Sequence, residues 1–194
     1  SINQIVQNRF TEKKFVNKYG IKTTNYILIK NKSDLLNDKS MFPGILKTCT
    51  LGYDGKGQYV LNNQDDIDDF KIDFGKEYIL EKKINLKKEI SIIITRFLNN
   101  EYLIYEPIEN LHINQILKKS VIPAVIDKNI FILAQQQAKL LAEKLNYIGT
   151  MCVEYFIDEN NNLLLNEIAP RVHNSGHLTI NTHNISQFEN HVRA

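Results

Sequence analysis

LKTCTLGYDGKGQYVL, Leu46 to Leu61, sets three glycines and a lysine between two apolar runs. Gly44 to Thr48 and Gln58 to Leu61 both read as strands, so the stretch is a β-hairpin with a long glycine-rich tip. A dinucleotide fingerprint or a P-loop needs its glycines to open a helix, whereas GxxGxG, Gly52 to Gly57, joins two strands. Glycine lets backbone N–H groups come close to an anion and lets a loop fold over a ligand. Lys47 at the strand end and Lys56 in the tip supply point charges for phosphate oxygens. The expected ligand is a nucleotide's phosphates; a hairpin loop with solubilising lysines is the plainer alternative.

Before the hairpin, Thr11 to Tyr19 reads as a helix closed by Gly20, Asn25 to Lys30 as a strand, and Ser33 to Lys39 as a helical turn. After it, Gln64 to Lys71 reads as helical and Glu77 to Ile84 as a strand. Glu89 to Leu98 and Glu101 to Ile108 form a hairpin across Asn99-Asn100, apolar on both faces and hence covered on both. Asn129 to Asn146 carries the strongest helical period, with its end marked by Gly149. Thr150 to Ile157 and Leu163 to Ile168 flank the turn formers Asp158 to Asn162, and Ile185 to Val192 closes as a helix. Hairpins outnumber crossovers, which predicts an α+β fold with antiparallel sheets and a subdomain seam near Lys82 to Lys88.

Bulk properties narrow the functions. The 194 residues are 43% hydrophobic, enough for a full core, and no apolar run approaches the ~20 residues of a membrane span. The 24 basic and 22 acidic residues leave a net charge of +2 spread along the chain, so neither nucleic acid nor a membrane surface is an expected partner. Cys49 and Cys152 lie in apolar strand-like runs and read as reduced core thiols. The polar start lacks the apolar region of a signal peptide, and a cytoplasmic location is expected.

Two further groupings carry chemistry. Glu154 and Glu167 sit one on each strand of the last hairpin, close to cross-strand register around a turn at Asn160 or Asn161. Opposed carboxylates within MCVEYF and LLLNEIA are costly unless a hard divalent cation joins them, the alternative being a separate lysine partner for each at the sheet rim. Asn166 reaches the same ion only if the strand twists or bulges there. In APRVHNSGH, Ala169 to His177, Arg171 offers a bidentate fork and His173 a switchable donor for an anionic or planar substrate. His173 and His177 lack a third zinc ligand at suitable spacing, and Ser175 lacks a nucleophile elbow. Glu81 and Glu89 flank the seam, where a carboxylate accepts ribose hydroxyls; near lysines the ordinary reading is a solvated surface.

Together ILKTCTLGYDGKGQ, YILEKKINLKKEIS, NLHINQILKKS and above all NEIAPRVHNSGH with ISQFENHVRA resemble the ATP-grasp portion of the 5-(carboxyamino)imidazole ribonucleotide synthase family over nearly the whole chain. The resemblance implies an ATP-grasp fold of two α+β subdomains enclosing the nucleotide, here 1–84 with the phosphate loop and 85–194 with the metal site and substrate loop. It implies a purine-biosynthesis ligase that phosphorylates bicarbonate with ATP and passes the carboxyl group to 5-aminoimidazole ribonucleotide. By motif, Arg9 and Lys47 contact phosphates, and Gly52, Tyr53, Asp54, Gly55, Lys56, Gly57 and Gln58 form the phosphate loop. Glu81, Lys82, Lys83 and Ile84 line the adenine pocket, Glu89 holds the ribose, and His112 is a nucleotide-site histidine. Glu154 and Glu167, with Asn166 beside them, match the magnesium site. Tyr53, Asp54, Lys56, Arg171, His173 and Asn174 face bicarbonate and the aminoimidazole. Leu51 stands where the family usually has glycine. The family's flanking amino- and carboxy-terminal domains are expected to be absent, and its full-length members to be homodimers. A nucleotide-binding remnant without turnover and a sibling ligase on another purine intermediate stay open.

Overall fold

The computed structural model describes residues 2–50, 57–70 and 72–194. Two short helices, α1 (Ile2–Val6) and α2 (Arg9–Lys18), lead into β1 (Tyr26–Ile29), α3 (Lys32–Asn37), β2 (Gly44–Thr48), β3 (Gln58–Leu61) and β4 (Tyr78–Lys82). Then follow β5 (Leu86–Arg96), β6 (Tyr102–Ile104), β7 (Ile108–Ile113), β8 (Ile116–Val121), α4 (Lys128–Lys144), β9 (Gly149–Asp158), β10 (Leu163–Ala169), α5 (Thr179–Thr182) and α6 (Gln187–Arg193). Strands β1-β4-β2-β3 make one sheet and β10-β9-β5-β7-β8 another, with β6 also on β5; these strands pair antiparallel throughout, and an isolated parallel bridge joins Thr23 to Leu165. The α+β reading holds.

Alternation along β5 shows how the larger sheet is covered on both sides. Ile90, Ile92 and Ile94 pack with Val153, Tyr155 and the Ala134, Ala138 and Leu141 face of α4, while Ile93 packs with Cys152, Tyr105 and Ile108 on the other side. Each such fully buried side chain contributes roughly 1.5–3 kcal/mol. The smaller sheet closes over Ile29, Leu35, Leu46, Leu61, Tyr78 and Leu80. Val16 and Ile21 join the core of the larger sheet. The amino-terminal helices thus depart from a division at residue 84: they precede the smaller sheet in sequence but pack on the larger one.

Some expected elements shifted. The long helix ends at Lys144 and the chain turns out of it at Asn146, φ 47°, and not at Gly149, whose φ of 116° instead opens β9 beside the His191 ring. An asparagine side chain tolerates the left-handed cap. The arm expected over Glu101 to Ile108 splits into β6 and β7, because Pro107 has no N–H to give the ladder. The acidic segment forms a 3-10 turn, Asp65–Asp69. The β7–β8 hairpin, turning at Asn114 and Gln115 with φ of 51° and 64°, was not foreseen.

Candidate active site

A cleft of about 1110 Å³ opens between the two sheets. From the smaller sheet it is lined by Lys47, Gln58, Glu81 and Lys82, followed by Lys83 and Ile84 in the link to β5. Across it stand Glu89 of β5, His112 of β7, and Glu154, Asn166 and Glu167 of the last hairpin. Arg9 of α2 and Arg171, His173 and Asn174 of the loop after β10 complete the wall. Gly57, at φ 73°, takes the backbone into β3, and its carbonyl accepts from the Thr48 N–H at 3.0 Å. Gly52, Tyr53, Asp54, Gly55 and Lys56, with Leu51, lie outside the described residues.

Glu81 is buried, and three partners meet at its Oε2: Lys47 Nζ at 3.0 Å, Thr24 Oγ1 at 3.2 Å and Lys13 Nζ at 3.5 Å. Burial alone would push this carboxyl up, but the Lys47 and Lys13 ammoniums and the Lys47 and Thr24 hydrogen bonds outweigh it and hold it at about 2. The Lys47 ammonium at the cleft wall is therefore anchored from within. Lys13 and Thr24 escaped the sequence reading; the only sign of Lys13 is a lysine on the side of α2 that also carries Val16. Glu12, its buried neighbour, accepts the Ile168 N–H at 3.1 Å and ties α2 to β10.

On the opposite wall, Glu89 Oε2 lies 2.5 Å from His112 Nδ1, and this hydrogen bond raises the histidine's pKa. Glu154 and Glu167 are direct cross-strand partners, because the β10 register slips by one residue between Leu165 and Glu167. Asn166 is the bulged residue, the condition under which its amide can share a face with its neighbour. The pair is poorly compensated. Arg9 Nη1 stands 3.7 Å from Glu167, and His173 Nε2 stands 3.7 Å from Glu154. Burial pushes His173 down to about 4, so it stays uncharged at neutrality. Burial, then the charge of Glu167, pushes Glu154 up to about 8.

Two carboxylates and an amide oxygen form a hard donor set, and a divalent cation would relieve the repulsion that raises Glu154. A second cluster, Cys152, Glu154 and His173, has its ligand atoms within 4.8 Å of one another. Burial drives the Cys152 thiol well up and keeps it protonated, which disfavours a soft metal. His177, exposed and tilted against Phe188, stands apart from that cluster.

The loop carrying His173 is clamped from α6. Gln187, fully buried, accepts the His173 N–H at 3.0 Å and donates to the His173 carbonyl at 2.7 Å. Sequence reasoning missed Gln187; its only trace was the segment ISQFENHVRA.

Comparison with known proteins agrees with this geometry. Residues 14–188 match the ATP-grasp domain. N5-carboxyaminoimidazole ribonucleotide synthase of Staphylococcus aureus strain COL is 43% identical over 98% of this chain and 51% of its own length, and that of Bacillus subtilis strain 168 is 41% identical over the same shares. The crystal structure of the S. aureus synthetase complexed with ADP superposes with a TM-score of 0.90 at 43% identity, over 97% of this chain and 51% of that one. The Aspergillus clavatus enzyme in complex with ADP and 5-aminoimidazole ribonucleotide gives 0.88 at 29% identity, over 100% of this chain and 52% of that one. The chain spans about half the length of the curated relatives it matches. With two antiparallel sheets around a charged cleft and this match over most of its length, the chain belongs to the ATP-grasp family.

Proposed function

We propose that this chain is the ATP-grasp part of an enzyme that carboxylates 5-aminoimidazole ribonucleotide. ATP phosphorylates bicarbonate to carboxyphosphate, and the carboxyl group then passes to the exocyclic amine of the ribonucleotide, leaving ADP and phosphate. The observation that carries the reading is the in-register Glu154–Glu167 pair, poorly compensated and facing a lysine-lined wall across the cleft. The relatives' ADP and 5-aminoimidazole ribonucleotide complexes support it.

In this reading Glu154 and Glu167, with Asn166, hold magnesium, which when bound offsets charge on the phosphate oxygens. Arg9, Lys47 and the Gly52 to Gln58 hairpin bind phosphates, and residues 81–84 line the adenine. Glu89 meets the ribose beside His112. Lys56, Tyr53, Asp54, Arg171, His173 and Asn174 orient bicarbonate and the acceptor. Lys47 and Arg9 stabilise charge moving toward the transferred phosphoryl group, where losing one donor typically costs ~3 kcal/mol in the barrier. The natural enzyme works in the cytoplasm as a homodimer.

Phosphate release is the test. Release that requires magnesium-ATP, bicarbonate and 5-aminoimidazole ribonucleotide together supports the reading. A requirement for formate in place of bicarbonate favours a sibling ligase. Nucleotide binding by calorimetry with no turnover of any acceptor, in a chain joined to its flanking domains, defeats the reading.

A further inference from the structure

Behind His173 runs a row of side-chain hydrogen bonds across three strands. Ser120 Oγ on β8 donates to Asn110 Oδ1 on β7 at 2.8 Å, and Asn110 Nδ2 donates to Ser91 Oγ on β5 at 3.0 Å. Ser91 Oγ lies 2.8 Å from Ser175 Oγ, which lies 2.9 Å from His173 Nδ1. Ser91 and Ser175 are fully buried, and Asn110 is 6% exposed. In a row of hydroxyls the direction of donation is free until one member fixes it. The Ser175 backbone N–H does so: it points at the same Nδ1 at 3.4 Å and can only donate.

Nδ1 must then present its lone pair. The Ser175 hydroxyl gives its one proton to Nδ1 and accepts from Ser91. Ser91 in turn accepts from Asn110, which turns that amide's oxygen toward Ser120. Cys152 Sγ, 3.7 Å from Ser175 Oγ, is a weak donor of the same sense.

We infer that this row locks His173 in the tautomer protonated on Nε2, so that its ring offers the cleft a fixed N–H donor for an anionic oxygen. Ser91, Asn110 and Ser175 are positioning residues that act through it. Nε2 is the nitrogen nearer Glu154, 3.7 Å from its carboxylate, on the cleft side of the ring. A donor there meets the carboxylate-type oxygen of bicarbonate or of its phosphorylated form; only the identity of that oxygen rests on the proposed reaction. Held this way, His173 has no lone pair on the cleft side and does not take a proton from the acceptor amine.

The test is nitrogen-15 spectroscopy of the histidine rings in the full 194-residue chain at neutral pH without nucleotide, with the His173 signals assigned by their loss in His173→Gln. A protonated Nε2 and a bare Nδ1 are expected; a predominantly protonated Nδ1 overturns the inference. Asn110→Asp replaces the donor facing Ser91 with an acceptor and reverses the row, shifting the tautomer ratio toward protonated Nδ1 by roughly tenfold, the weight of about one buried hydrogen bond. An unchanged ratio in the folded variant removes Asn110 and Ser91 from the role. Should Asn110→Asp fail to fold, Ser91→Ala cuts the row at its centre and should give a mixture, whereas retention of the wild-type ratio counts against the inference. These spectra involve no turnover, so they stand or fall apart from the reaction.

Discussion

Replacing Glu81 by glutamine keeps the side chain's shape and its acceptor oxygen but removes the charge that two buried ammoniums share. Lys13 is 1% and Lys47 8% exposed, and both reach Glu81 Oε2 within 3.5 Å. Breaking such a buried group by removing one partner costs about 3–5 kcal/mol. The proton affinity of Glu81 gives an independent figure. The gap between the ordinary 4.5 and about 2, at about 1.36 kcal/mol per decade, comes to roughly 3 kcal/mol. For a chain of this size the loss lowers the melting midpoint by roughly 6–20 °C. The sign with pH follows from the lowered folded value: the stabilisation is complete above pH 4.5 and fades as pH falls toward about 2, where wild-type Glu81 is itself protonated. Urea unfolding of wild type and Glu81→Gln across that range should give curves that are far apart at neutrality and converge in acid. A neutral-pH deficit under about 1 kcal/mol, the scale of a solvent-exposed pair, would refute the reasoning. So would a deficit that stays constant into acid.

Glu167→Gln should leave the fold intact, as judged by its amide spectrum, while weakening magnesium-dependent nucleotide binding roughly tenfold or more, about 1.4 kcal/mol by calorimetry; unchanged binding would falsify the cation assignment. Glu154, raised from 4.5 to about 8, keeps a proton in the folded chain that the unfolded chain has lost, so its contribution to stability falls as pH rises between those values. Magnesium-nucleotide binding below pH 8 should therefore release a proton, seen as a calorimetric enthalpy that depends on the buffer, and the release should vanish in Glu154→Gln. Gly176→Ala places a methyl group against the Gln187 amide, with Oε1 nearest and Cδ 2.7 Å away, where Gln187 clamps the His173 backbone. A loss of about 1–3 kcal/mol in urea unfolding is expected, and no loss would mean that Gln187 swings aside freely.

What was legible in the sequence was local. β2 and β3 lie where the apolar runs around the glycine loop put them, and counting around Asp158 to Asn162 brought Glu154 and Glu167 close to cross-strand register, which the bulge turns into a direct pairing. The bulge at Asn166 was foreseeable only as a condition, since nothing in LLLNEIA announces an extra residue. The β7–β8 hairpin stayed hidden because Asn114-Gln115 lacks the glycine that usually marks a turn with two positive φ values. Contacts distant in sequence left no pattern. Lys13 meets Glu81 from 68 positions away because α2 packs on the larger sheet while Glu81 lies on the smaller. The row from Ser120 to His173 uses residues that look like ordinary strand polars until β5, β7 and β8 are set side by side.

The carboxylates around the cleft divide by what compensates them. Glu81 has two ammoniums and a hydroxyl, and Glu89 has His112 at 2.5 Å; both are satisfied within the fold. Glu154 and Glu167 face each other, and their basic neighbours stand off at 3.7 Å, one of them an imidazole held uncharged. Optimised for the fold alone, such a pair would be replaced or salt-bridged, because opposed like charges on neighbouring strands are destabilising. Its persistence at the one place where β10 bulges fits a site completed from outside by a divalent cation and the anion that the cation carries. The cross-wall arrangement follows from the same charge balance. In the proposed reading Lys47 on the smaller sheet would meet the phosphate end of that anion, and the acidic pair on the larger sheet would meet it through the metal. In that reading the ligand would bridge two sheets that the described chain also links through residues 83–85, the amino-terminal helices and the Thr23–Leu165 bridge.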